Sequence, residues 1–203
     1  MVRGLNLFSD MADKFPAASV TGVDLSPTQP QWVPPNCNFE VDDVTLRWTY
    51  PINSFDFIHI REMFGSVGNW DELFGQAYRH LRPGGYVENV EHSVHPVSDD
   101  DTVGPDSVFT QYGEIMHEMG RRRGKDFDVW KDNAERMRRA GFIDVKETRI
   151  KWPMGPWSSD PKLKMLGRWN QLRCEQGIEG FVLRSLTHVG GVSCDMRIDC
   201  DFD

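Results

Sequence analysis

Three stretches of this chain place polar groups where strands should run out. Val20-Thr-Gly-Val23 is β-rich and ends on Asp24. A carboxylate at a strand tip accepts two hydrogen bonds at once, which suits the two hydroxyls of a ribose diol. Leu25 beside it can cover one face of an adenine. Asn38-Phe-Glu-Val41 closes on Asp42 and Asp43, either of which can take an N–H from the adenine's exocyclic amine. Phe55-Asp-Phe-Ile-His-Ile60 is a nearly continuous apolar run followed by Arg61. There His59 is the candidate general base and Arg61 a candidate contact to substrate. Each residue alone has a plainer use: a strand-end acid forms turns, a histidine in an apolar run fills a core or rim, and an arginine pairs with a local acid.

The elements that must position these residues follow an α/β rhythm. Phe8 to Phe15 reads as a helix stopped by Pro16. The run from Phe55 to Ile60 predicts a strand buried on both faces of a parallel sheet. A helix should start after Asn69, with Glu72 three residues on as in a capping box, and bury Trp70, Leu73, Phe74, Ala77, Tyr78 and Leu81. Arg82-Pro-Gly-Gly85 ends it, and Tyr86 to Glu91 is the next strand. Strand, helix and strand at this spacing imply crossover connections and a parallel sheet. Two more helices carry Phe109 to Met119 and Phe127 to Met137, the second ending at Gly141. Phe142 to Trp152 has strand character. Pro161 to Leu186 reads as helical, with Leu163, Leu166, Trp169 and Leu172 as its core face.

Composition narrows the function classes. The 203 residues, 39% of them hydrophobic, suit one soluble domain. A net charge of −8 argues against a broad nucleic-acid footprint. No apolar stretch reaches the roughly 20 residues of a membrane span, and the start is too polar for a secretion signal. Cys37, Cys174, Cys194 and Cys200 show no C-x-x-C spacing, so reduced thiols in an intracellular protein, cytoplasmic or nuclear, are expected. Asp99-Asp100-Asp101 reads as a solvated loop, and no metal site is expected.

Four segments together carry a resemblance. They are Thr21 to Asp43, Asn53-Ser-Phe-Asp-Phe-Ile-His-Ile-Arg61, Ala77-Tyr-Arg-His-Leu-Arg-Pro-Gly-Gly-Tyr-Val-Glu88, and Gly155-Pro-Trp157 with Asp160-Pro-Lys-Leu-Lys164. They resemble motifs of the fungal LaeA-like family of class I S-adenosylmethionine-dependent methyltransferases, over Asp10 to Val189. The resemblance implies a Rossmann-like doubly wound sheet with S-adenosylmethionine as cofactor. It implies Asp24 on the ribose, Leu25 beside the adenine, Asp42 or Asp43 on the adenine amine, and His59 and Arg61 facing an unspecified small-molecule or protein acceptor. It also implies a link to secondary metabolism, after the regulator that names the family.

The chain departs from that pattern at both ends. Such enzymes open with a strand and a D-x-G-T-G-T-G-type loop, whose glycines let backbone approach the cofactor. Met1 to Ser9 offers only Gly4. That strand lies centrally in the family's sheet, between the second and fourth. The family's final antiparallel strand also has no counterpart in Gly190 to Asp203. The expectation is a partial methyltransferase-like domain over 1–189 with an irregular tail over 190–203, from a truncated or mis-spliced product or an incomplete gene reading. The alternative is a non-catalytic, methyltransferase-like binding protein or an inactive fragment. A nicotinamide oxidoreductase would need a G-x-G-x-x-G loop, also absent, and no Tyr-x-x-x-Lys pair occurs.

Overall fold

The computed structural model describes residues 6–27, 32–100 and 103–188. They form two compact units, one ending at Pro51 and one beginning at Ile52.

In the first unit, helix α1 (Asn6–Lys14) precedes two parallel strands, β1 (Val20–Asp24) and β2 (Cys37–Val41). They pair from Val20 opposite Cys37 to Asp24 opposite Val41. The small core is aromatic, with Phe8 and Phe39 edge to face at 5.8 Å. Gly22 makes room for it, since a Cβ there would lie 2.6 Å from the Phe39 ring. The Asn36 amide donates to the carbonyls of Ala12, Phe15 and Ala18 at 3.1, 3.2 and 2.9 Å. One side chain thus takes up backbone acceptors that a helix end leaves open.

The second unit runs β3 (Phe55–Arg61), α2 (Trp70–His80), β4 (Leu81–Val90), α3 (Val108–Arg122), a 3-10 turn (Val129–Lys131), α4 (Asn133–Ala140) and α5 (Pro161–His188). β3 and β4 are parallel, as the crossover through α2 requires. Asn69 caps α2 by accepting from the Glu72 N–H at 3.1 Å. Asp160 caps α5, accepting from the Lys162 and Leu163 N–H groups at 2.7 and 3.0 Å, with Pro161 in the first turn. Gly141 ends α4 at φ +109°.

The two strand pairs are separate two-stranded sheets. Among the described residues no strand precedes β1 and none follows β4. This is the parallel α/β pattern predicted, without the expected first and last strands. Residues 1–5 and 189–203 lie outside the described residues, and with them most of the opening loop region and the whole predicted tail, Cys194 and Cys200 included; Asp101 also does.

Five local expectations are corrected. Arg82-Pro-Gly-Gly85 does not end α2 but arches out of β4: Phe55 lies opposite Leu81 and Phe57 opposite Tyr86. Gly84 takes φ +84°, and the Arg82 guanidinium clamps the Asp56 carboxylate at 2.7 and 2.8 Å. β3 is buried on one face rather than two. Ile60 is buried, whereas Phe57 is 45% and Tyr86 75% exposed, because nothing among the described residues covers their side. Residues 142–152 form no strand; Ile143 and Ile150 are exposed. On α5, Gly167 and Asn170 are buried while Leu163 and Trp169 face outward. Close approach of backbone decides this: a Cβ on Gly167 would strike the Gly155 carbonyl oxygen at 2.0 Å. Tyr78, assigned to the core of α2, is half exposed and packs edge-on against Phe142 at 5.2 Å, and Gln76 and His80 are buried in its stead.

Candidate functional site

The carboxyl end of the first strand pair gathers four of the predicted residues. Asp24 is the last residue of β1, and its backbone carbonyl accepts from the Asp42 N–H at 3.1 Å, tying the two strand tips together. The Asp24 Oδ1 accepts from the Ser26 N–H at 2.8 Å, an Asx turn that fixes the carboxylate and leaves Oδ2 without a hydrogen bond among the described residues. Leu25 projects beside it, 67% exposed. Asp42 and Asp43 behave differently. Among the described residues Asp42 Oδ1 takes the Asp43 N–H alone, at 2.8 Å. Asp43 Oδ1 takes both the N–H and the hydroxyl of Thr45, at 2.9 and 2.6 Å, and so forms the following turn.

The carboxyl end of the second strand pair holds His59 and Arg61. His59 lies directly opposite Glu88, and its Nδ1 meets the Glu88 Oε2 at 2.8 Å. The ring is thereby oriented by a carboxylate, as a base must be. Its Nε2 is shielded from solvent and has no hydrogen-bond partner among the described residues. Arg61 is half exposed, 3.8 Å from Glu62.

Around Arg61 the structure assembles a polar cluster. Glu62 takes a left-handed φ of +53°, sparsely populated for a residue with a side chain and held only where surroundings enforce it. The turn aims the N–H groups of Met63 and Phe64 at the Glu91 carboxylate, both at 3.1 Å, and the Asn89 amide joins them at 3.0 Å. Burial still pushes the Glu91 carboxyl up, against the lowering pull of those three bonds. The Glu62 carboxylate lies 3.4 Å from the Arg173 guanidinium of α5 and 3.8 Å from His92. Arg173 stacks over Trp152 at 4.4 Å, and His92 sits edge-on to Trp152 and Phe64 at 5.5 and 4.5 Å. Burial, then the positive charge of Arg173, lowers the His92 pKa to about 4; Glu62 opposes that and Arg61 adds to it.

The family follows from comparison with known proteins. The sequence model of a methyltransferase domain matches residues 3–153. The chain belongs to the methyltransferase domain family. Among relatives of this methyltransferase-family chain, the secondary metabolism regulator LAE1 of Cochliobolus heterostrophus is 38% identical over 182 residues, covering 89% of this chain and 59% of that protein. Methyltransferase pytC of Aspergillus terreus is 37% identical, over 89% of this chain and 56% of its own length. The secondary metabolism regulator laeA of Aspergillus fumigatus is 31% identical, over 90% and 49%. The chain thus spans about half to three-fifths of the relatives it matches. A Haemonchus contortus phosphoethanolamine N-methyltransferase 2, solved with S-adenosylhomocysteine and phosphomonomethylethanolamine, aligns at a TM-score of 0.50 and 23% identity, over 86% of this chain and 37% of that one. That likeness shows a shared Rossmann-like fold.

Within this methyltransferase domain the sequence reading missed Glu62, Glu88, Glu91, His92 and Arg173. Glu88 and Glu91 had a signal: both lie at the carboxyl end of the strand read over Tyr86 to Glu91. Glu62 directly follows Arg61 and was equally within reach. Arg173 had none, because it lies 111 residues from its partner Glu62.

Proposed function

We propose that this chain is the cofactor-binding core of an S-adenosylmethionine-dependent methyltransferase that acts on a small-molecule or protein acceptor inside the cell, in the control of secondary metabolism. One observation carries the reading: the Asp24 carboxylate, fixed at the tip of β1 with Oδ2 uncommitted among the described residues and the exposed Leu25 beside it. This fits the nucleoside half of the cofactor. Asp24 would accept from the ribose hydroxyls and Leu25 would lie on the adenine. Asp42 is the better acceptor for the adenine amine, because Asp43 Oδ1 is occupied by Thr45. For the methionine half, the described residues show no glycine loop. When bound, the cofactor supplies an activated methyl group on sulfur, and the chain's part is to position it. The names of the relatives support methyl transfer and the metabolic role. Free Cys37 and Cys174 accord with a reducing compartment.

A second reading is favoured by the pairing of the described strands into two sheets of two rather than one sheet of four: a methyltransferase-like binding protein that does not catalyse. One measurement divides the two. S-adenosylhomocysteine at one hundred times its dissociation constant should stabilise a competent fold by about 2.7 kcal/mol, raising Tm by roughly 5–10 °C. Asp24→Ala should abolish that shift and leave the ligand-free Tm within about 1–2 °C, because the residue is exposed. A shift of equal size in both proteins would sink the site assignment. A cooperative melt that ignores the ligand would favour the second reading.

A further inference from the structure

Three residues from three segments converge: His95 after β4, His117 in α3 and Asp128 just before the 3-10 turn. Their donor atoms all lie within 4.8 Å of one another. We propose that they bind one divalent transition-metal ion.

The His117–Asp128 edge is the strongest part of the case. His117 Nε2 approaches Asp128 Oδ1 to 3.2 Å, yet this nitrogen is shielded from solvent and makes no aligned hydrogen bond. Ligands on a tetrahedral ion at about 2.0–2.2 Å stand roughly 3.3–3.5 Å apart, so the edge already has the required length. An ion there would satisfy a nitrogen that otherwise pays for its burial unrewarded.

The surroundings hold the ligands in place. Lys131 grips Asp128 Oδ2 and the Trp130 indole donates to Oδ1 at 3.1 Å, which fixes the carboxylate with Oδ1 toward His117. On the far side of the imidazole, His117 Nδ1 lies 3.9 Å from the Asp126 carboxylate. Metal-bound histidines commonly have a carboxylate in that place. A cleft of about 560 Å³ opens on the site, lined also by Glu114, Glu118 and Arg121, with space for a water ligand.

One movement is required. The His95 and His117 rings stack at 4.3 Å, 16° from parallel, and parallel rings cannot aim in-plane lone pairs at one point. His95 must turn about its Cβ–Cγ bond. The ring lies against Gly113, where a Cβ would come within 2.2 Å of His95 Nδ1. Two imidazoles and one carboxylate suit zinc, cobalt, nickel or copper, whereas calcium and magnesium prefer oxygen alone. The sequence hid the site because its spacings, 22 and 11 residues, match no local metal motif.

The test is titration of the metal-free full chain with cobalt(II), followed by its visible d–d bands, then displacement by zinc. The expected result is one equivalent bound, at an affinity about tenfold or more weaker in His95→Gln and in Asp128→Asn, and unchanged in Glu114→Gln. Asp128→Asn keeps an oxygen for the Trp130 indole, and circular dichroism confirms that each variant is folded. No saturable binding at millimolar metal would overturn the proposal. So would equal affinity in the ligand variants, or thiolate charge-transfer bands pointing to cysteine instead.

Discussion

Replacing His92 by phenylalanine should flatten the acid side of the stability profile. His92 titrates near 4 in the folded chain against an ordinary 6.5, because protonation would place a cation between Phe64 and Trp152, close to Arg173 and Arg61. Glu62, 3.8 Å away, offsets only part of that. Between pH 6.5 and 4 the folded state therefore binds fewer protons than the unfolded one. The stabilisation is complete above about pH 6.5 and is lost as pH falls through the folded value near 4. At about 1.4 kcal/mol for each tenfold in proton affinity, a fall from 6.5 to about 4 is worth ~3 kcal/mol. For a domain of this size that is roughly 6–12 °C in Tm.

The assay is urea unfolding of the parent and His92→Phe at half-unit steps from pH 4 to 7.5. Phenylalanine keeps an aromatic ring against Phe64 and Trp152 while removing the titrating nitrogens. Glu91 works in the opposite sense. Its raised pKa means stability present below the ordinary glutamate range and lost as pH rises through the folded value. That slope is common to both proteins and cancels in their difference. The difference should therefore change by ~3 kcal/mol across the window, nearly all of it below pH 6.5. Parallel curves would refute the reasoning and mean that His92 is protonated at no cost, with Glu62 holding the charge.

Two further substitutions probe the scaffolds. Glu91→Ala should cost roughly 3–5 kcal/mol, because it strands the Met63 and Phe64 N–H groups and the Asn89 amide; Glu91→Gln should recover much of this, since one amide oxygen can serve both donors now on Oε1, and equal losses in urea would contradict it. Asn36→Ala should cost about 1–3 kcal/mol by removing its bonds to the carbonyls of Ala12, Phe15 and Ala18, of which Phe15 keeps the Ala18 N–H, read by the fluorescence of Trp48 in the same unit.

What the sequence disclosed was local. The Asn69 cap, the left-handed Gly141 and the Pro161 start all depend on residues a few positions apart. Where the reading failed, the deciding contact was distant. The apolar periods of β3 and of Leu163, Leu166, Trp169 and Leu172 specify faces to be covered without saying whether cover arrives. Phe57 and Trp169 remain outside because none does among the described residues. Residues 142–152 have the side chains of a strand, but a strand also needs a partner's backbone.

The same division explains the site. Asp24, Asp42, His59 and Arg61 were legible because a strand's end is a local event and ligands in α/β folds gather at carboxyl ends. The partners that set their chemistry were not. Glu62 shows why: nothing in Arg-Glu-Met-Phe predicts a left-handed glutamate. That conformation costs of order 1–3 kcal/mol, and here two backbone bonds to Glu91 and a contact with Arg173 offset it. Its carboxylate then becomes the one anion between two guanidiniums and a neutral imidazole. Removing it would leave three groups to repel or titrate, so Glu62 sets the charge state of the rim more than any residue named from sequence.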